Sequence, residues 1–306
     1  MSINLKVSIG ILLHNSAATI SAAIESALSQ NYPNIEIVVS ENGSSDKSDL
    51  IALDWQRRSG IVTAYTDKTN IGFPKNLERL VEKATGEIVV FLCADDMFAH
   101  NSVISEIVER FELNPRVGHI GRWYYQYLDG IEGIVRIHRA TNIYHLADNP
   151  SGLAFRKEAI KGVKVMDKPF VEAASMVKYV LSKGWEYDII KKDAIAVRIH
   201  PGQNGSTTPA AYKYSPTESW LEVAGPQDWI IHPHFIGFIQ LKNWGPYSLL
   251  WKEIRLTIKL RPANLLDPGF WLFGSIAVFT PRCILRPFTR FYKHRISRVF
   301  FDKFKL

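Results

Sequence analysis

The chain has 306 residues, 46% hydrophobic and 22% charged, which excludes a disordered polypeptide and suffices for one large domain or two smaller ones. Its two cysteines, Cys93 and Cys283, exclude a disulfide framework or a thiol-built zinc cluster. The net charge of +7 resides in residues 281–306, where eight Lys or Arg face the single acid Asp302; the remainder is balanced, which argues against nucleic acid as the partner.

The opening run Val7–Leu13 reads as a buried strand rather than a signal peptide, because it contains Ser8 and Gly10 and leads straight into a helical pattern. That pattern, Thr19–Gln30, places Ile20, Ala23, Ile24, Ala27 and Leu28 on one face. A turn at Tyr32-Pro33-Asn34 precedes a strand over Ile35–Val39. Asn42 to Asp46 is a loop, with Ser45 or Asp46 able to cap a helix over 47–58. Ile61–Thr66 is a third strand, and Pro74 suits the first turn of a helix through Ala84. Ile88–Leu92 is a fourth strand, apolar throughout, as expected for one covered on both faces.

After residue 117 the pattern changes. Val117–Ile120, Trp123–Leu128 and Ile131–His138 read as strands, with Asp129-Gly130 a hairpin turn. Phe170–Lys183 reads as a helix stopped by Gly184, followed by strands at Tyr187–Ile190 and Ala194–Ile199 and a loop over 200–209. Strands alternating with helices predict an α/β, doubly wound, mostly parallel sheet, with ligands bound at the carboxyl ends of its strands. His14-Asn15, Glu41-Asn42-Gly43, Asp67 to Gly72 and Asp95-Asp96 all follow strand ends, so they gather along one edge.

Two adjacent aspartates at a strand end repel each other and resist desolvation. A hard divalent cation such as Mg²⁺ or Mn²⁺, sharing oxygen ligands with a substrate phosphate, would offset that cost. The other reading is that one aspartate caps the helix starting near Ser102 and the other is solvated.

Residues 5–100 resemble the nucleotide-sugar-binding half of family 2 glycosyltransferases, the inverting enzymes with the GT-A fold. Four elements carry the resemblance in order: VSIGILLHN (7–15), AIESALSQNYPNIEIVVSENGSSD (23–46), NIGFPKN (70–76) and ATGEIVVFLCADD (84–96). Together they are far more specific than any one short motif. By position, the resemblance implies that Glu41 hydrogen-bonds the nucleobase and that Asn42 shapes the loop with Gly43. It implies that Asn15, Asn70, Gly72 and Asn76 line the nucleotide and that Asp95, beside Asp96, is the last Asp of a D-x-D metal motif. The first position of that motif is Cys93, whose thiol is a poor Mg²⁺ ligand and only weakly favoured by Mn²⁺.

Downstream, AVRIHPGQNGS (196–206) is similar to the family's Arg-x-His element, implying His200 as a further metal ligand; Arg198 is suited to pair either with a phosphate or with a core carboxylate. KPFVEAASMVKYVLSKG (168–184) resembles the segment bearing the catalytic base. Glu172 matches its Glu, but Ala173 stands where the Asp belongs. Either Glu172 takes the proton, or another acid does, or the chain is inactive; as a helix N-terminal acid Glu172 also interacts with the helix dipole.

In the tail, Leu285, Phe288, Tyr292, Ile296 and Val299 share one helical face and Arg282, Arg286, Arg290 and Lys293 another, suited to an anionic membrane surface. The ordinary alternative is a helical cap with a solvated basic face. The expected organisation is a catalytic domain over 1–215, with a nucleotide-sugar half (1–116) and an acceptor half (117–215), then a helical aromatic and basic region over 216–306. The expected activity is cation-assisted sugar transfer from a nucleoside-diphosphate sugar to a glycan or lipid-linked glycan hydroxyl, at the inner face of the cytoplasmic membrane. A degraded, non-catalytic binding module is the alternative that Cys93 and Ala173 would favour.

Overall fold

The computed structural model describes residues 4–128, 134–138, 147, 149–168, 171–199, 238, 242, 247–260, 262–266, 268–281 and 283–285. It forms two compact units, one of Met1–Asp167 with Glu172–Ile199 and one of Lys168–Val171 with His200–Leu306.

The first unit is built on β1 (Val7–Leu13), β2 (Ile35–Glu41), β3 (Val62–Tyr65) and β4 (Ile88–Cys93), which pair in parallel in the order β3-β2-β1-β4. Every residue of β1 is buried, and Val7, Ile9, Ile11 and Leu13 on one face join one continuous core. Each fully buried Ile or Leu there contributes about 1.5–3 kcal/mol relative to exposure. Helix α1 (Ile20–Leu28) buries Ile20, Ala23, Ile24 and Ala27 at the spacing of one helical face. Helices α2 (Ser48–Arg58) and α3 (Phe73–Lys83) complete the parallel crossovers. Gly10 allows the close approach of α3, since a Cβ there would lie 2.2 Å from a Leu80 methyl.

The sheet continues through three antiparallel pairings. After β5 (Met97–Phe98) and α4 (Val103–Leu113) come β6 (Val117–Leu128), β7 (Ile134–His138), β8 (Ala154–Arg156), α5 (Glu172–Ser182) and β9 (Glu186–Ile199). β8 lies between β4 and β6, antiparallel to both; β6 pairs in parallel with β9, and β5 closes the far edge. β7 forms a further antiparallel pair with β6. The result is a mixed α/β sheet whose first half is wholly parallel. The segments read above as two strands each, over 117–128 and over 187–199, are single long strands with register shifts. The Asp129-Gly130 turn lies outside the described residues.

The second unit contains α6 (Tyr247–Leu260), a 3₁₀ turn (Pro262–Leu266) and α7 (Pro268–Phe279). Phe238, Leu249, Leu250, Phe270, Ala277 and Leu285 form its apolar core. Leu266, Trp271, Leu272 and Phe279 remain exposed. No helix among the described residues is long and apolar enough to cross a membrane.

Candidate functional site

The register aligns Leu13 with Glu41, and Leu12 with Cys93, so β1, β2 and β4 end together and release their loops at one edge. Backbone bonds extend this alignment past the strands: Asn42 N–H donates to the Leu13 carbonyl at 2.9 Å and Ala94 N–H to the Leu12 carbonyl at 3.0 Å.

Glu41 is fully buried. Its Oε1 accepts the Ser44 N–H at 2.6 Å and its Oε2 the Asp67 N–H at 3.2 Å, so it ties the loops after β2 and β3 together. Asn42 Oδ1 accepts the Ile71 N–H, and its amide donates to Asn70 Oδ1, which also accepts the Gly72 N–H. Gly43 has φ of 64°, and a Cβ there would lie 2.4 Å from backbone atoms of Thr69 and Asn70. Only glycine satisfies both the left-handed backbone and that approach. Asn76 is buried against β2, its Oδ1 accepting from Ser40 Oγ and Arg79 and its amide donating to the Ser40 carbonyl. Arg79 also donates to the Glu41 carbonyl and pairs with Asp67. Glu41, Asn42 and Asn76 are thus buried parts of the scaffold around the strand ends.

Asn15, in the left-handed region at φ of 48°, accepts the Ser45 N–H on Oδ1. That fixes its amide toward His14 Nε2, 3.2 Å away, and Asn70 directs its own amide there at 3.2 Å. Two donors on Nε2 make it the acceptor, so Nδ1 carries the ring hydrogen.

At the end of β4 the ligand atoms of Cys93, Asp95 and Asp96 lie within 4.8 Å of one another. Cys93 and Asp95 are partly exposed, whereas Asp96 is only 2% exposed. Asp96 Oδ2 accepts from Ser151 Oγ at 2.5 Å, and Oδ1 accepts the Arg198 N–H at 3.0 Å. Burial, followed by the charge of Asp95, pushes the Asp96 carboxyl up to about 7. Burial, followed by Asp96 and Asp95, likewise raises the Cys93 thiol well above its ordinary value. Arg198 on β9 donates from Nε to the Asp95 carbonyl at 3.3 Å, and its guanidinium lies 5.5 Å from the Tyr127 ring centre. The donor set fits one divalent cation: two carboxylates, one of them partly exposed, and a thiol close together at a strand end.

Arg198 therefore meets the aspartate pair. Glu172 opens α5, partly exposed, with Ala173 buried behind it. His200 lies outside the described residues. Asp67 was expected at this edge, whereas Ser151 and Arg79 were not singled out from the sequence. Ser151 sits in an ordinary turn stretch, Asn149-Pro150-Ser151-Gly152, and only the antiparallel return of β8 brings it to β4.

An uncharacterised glycosyltransferase of Rickettsia typhi is 38% identical over 101 residues, covering 33% of this chain and 30% of that protein. One of Nostoc sp. is 26% identical over 227 residues, covering 68% and 69%. The poly-beta-1,6-N-acetyl-D-glucosamine synthase of Staphylococcus epidermidis is 25% identical over 280 residues, covering 89% of this chain and 62% of the synthase. The chain thus spans under two thirds of the Rickettsia relative and of the synthase. Among solved structures, S. aureus TarS 1-349 in complex with UDP-GlcNAc matches with a TM-score of 0.58 at 13% identity, covering 89% of this chain and 91% of that one. The mannosyltransferase PcManGT of Pyrobaculum calidifontis, in complex with GDP-Man and Mn²⁺, matches with a TM-score of 0.55 at 14% identity, covering 95% and 88%. Both likenesses show the GT-A fold. The model of glycosyl transferase family 2 matches residues 8–174, more than half of the chain, and the chain belongs to that family.

Proposed function

We propose that the protein is a cation-assisted inverting glycosyltransferase that moves a sugar from a nucleoside-diphosphate sugar to a hydroxyl of a glycan or lipid-linked glycan. The observation that carries this is the convergence of Asp95, Asp96 and Arg198 where β1, β2 and β4 end in register. The neighbours that bind UDP-GlcNAc and GDP-Man share the fold, and the synthase relative makes a polysaccharide.

The nucleotide sugar lies along residues 12–15, 41–43, 70–76 and 93–96, where the Glu41, Asn42 and Asn76 networks hold the loops in shape and Asn15, Asn70 and Gly72 follow the strand ends. Asp95, with Cys93 and Asp96 beside it, would hold Mn²⁺ or Mg²⁺. The cation, when bound, neutralises charge on the leaving diphosphate. Arg198 adds positive charge at the same place. The acceptor oxygen forms its bond to the anomeric carbon as the carbon–phosphate-oxygen bond breaks and the diphosphate leaves with the electron pair. Glu172 takes the hydroxyl proton. The basic and aromatic C-terminal region would hold the enzyme on an anionic membrane at the cytoplasmic inner face, where a lipid-linked acceptor is presented.

The test is calorimetric titration with UDP, dTDP, GDP and CDP, with and without Mn²⁺, on the protein and on Asp95→Asn. Binding of one nucleotide that needs Mn²⁺ and is lost in the variant is the expected result and names the donor class. Absence of binding to all four would overturn the reading.

A further inference from the structure

The aspartate pair does not act as two equal ligands. Both oxygens of Asp96 already accept from the protein, one from the Ser151 hydroxyl and one from the Arg198 N–H. Ser151 is fully buried, and its Oγ also accepts the Cys93 N–H at 2.9 Å. A single hydroxyl therefore fixes Asp96 and the backbone of Cys93 together. The partly exposed members of the cluster are Cys93 and Asp95.

We propose that Cys93 and Asp95 form a thiolate–carboxylate seat that favours a thiophilic divalent cation, such as Zn²⁺, Co²⁺ or Cd²⁺, over Mg²⁺, with Asp96 and Ser151 as positioning residues behind it. A thiolate is a soft donor, and sulfur ligation follows ligand softness rather than the oxygen preference of Mg²⁺. On binding, Cys93 Sγ forms a bond to the metal and its proton passes to water. The partly exposed carboxylate of Asp95 supplies one oxygen, and water fills the remaining positions in the absence of a diphosphate. The inference rests on the proposed function only for the diphosphate that would later replace that water; the cation seat stands on the cluster's geometry.

Co²⁺ alone, without nucleotide, is the probe, because thiolate ligation gives a near-ultraviolet charge-transfer absorption that oxygen ligation does not. Cys283 is an exposed thiol, so the measurement uses a Cys283→Ser background. The expected result is an absorption that saturates at one Co²⁺ per chain, survives a large excess of Mg²⁺, and is lost in both Cys93→Ser and Cys93→Asp. Two variants are made so that misfolding of one leaves the other. Ser151→Ala should keep the absorption but weaken Co²⁺ affinity about tenfold or more, as loss of an outer partner does. No absorption at saturating Co²⁺, absorption that persists without Cys93, or ready displacement by Mg²⁺ would each overturn the proposal. Failure of the nucleotide titration with the absorption intact would instead strike the transferase reading, so the two outcomes are separable.

Discussion

At Asp96 the carboxylate closes a buried circuit, and at Asp95, one residue earlier, the carboxylate meets solvent. The two should therefore separate in stability measurements. Asp96→Ala leaves the Ser151 hydroxyl and the Arg198 N–H buried without their acceptor, at about 1–3 kcal/mol for each unsatisfied group. Asp95→Asn changes a partly exposed side chain and should cost less than Asp96→Ala. Urea unfolding of both variants checks the difference; equal losses would mean that Asp96 is not the structural member of the pair. At this scale the sequence was legible where chemistry is local. The aspartates stood out because a strand end is a poor place for two acids. Ser151 did not stand out, because its partners are Cys93 and Asp96, more than fifty residues away at and just beyond the end of β4.

Elements were legible in proportion to the regularity of their apolar pattern. β1 is mostly apolar and β4 almost wholly so, both are buried on both faces, and α1 repeats at helical spacing, so their limits were predicted within a residue or two. β5 and β8 have two and three residues, too few for any period. β9 read as two strands because Lys191-Lys192 interrupts it. The structure carries the strand through: Arg122 pairs with Ile190 and Trp123 with Asp193, so the two lysines are the extra residues of a bulge. Element ends also hold charges that set acid stability. Glu36 on β2 accepts from Ser8 of β1 and from the Thr85 N–H and hydroxyl, and pairs with Lys6 at 2.7 Å. Burial opposes its charge, but these bonds prevail and hold its carboxyl down at about 2. A folded value below the unfolded one stabilises the protein above about pH 4.5 and loses that contribution as pH falls toward 2. Glu36→Gln should therefore lower stability at pH 7 and flatten its decline between pH 4.5 and 2, measured by chemical denaturation across that window. An unchanged acid profile would deny Glu36 that role.

For the whole molecule, charge and apolar exposure concentrate in the C-terminal region. Leu266 is 86% exposed and Phe279 is 80% exposed, and the basic residues 281–306 follow them in sequence. Each Lys or Arg near an anionic bilayer contributes about 1 kcal/mol, falling off with salt. Removing residues 281–306 should abolish flotation with phosphatidylserine vesicles at low salt while leaving nucleotide affinity unchanged. Retained flotation would place membrane contact elsewhere.

The strand order also fixes a sequence of events in time. β1 to β4 come from the first ninety-three residues and need nothing later to pair, but the open flank of β4 waits for β8, and β6 waits for β9. During synthesis the run Ile88–Cys93 therefore stands as an unpaired, strongly apolar edge until residue 156 has emerged, which is the arrangement that invites pairing with another chain. A fragment ending at residue 116 should form the parallel sheet and then aggregate, whereas one ending at residue 199 should stay monodisperse in light scattering. The three residues of β8 would then be a seal on a growing sheet, and the nascent chain is most vulnerable in the interval before they arrive.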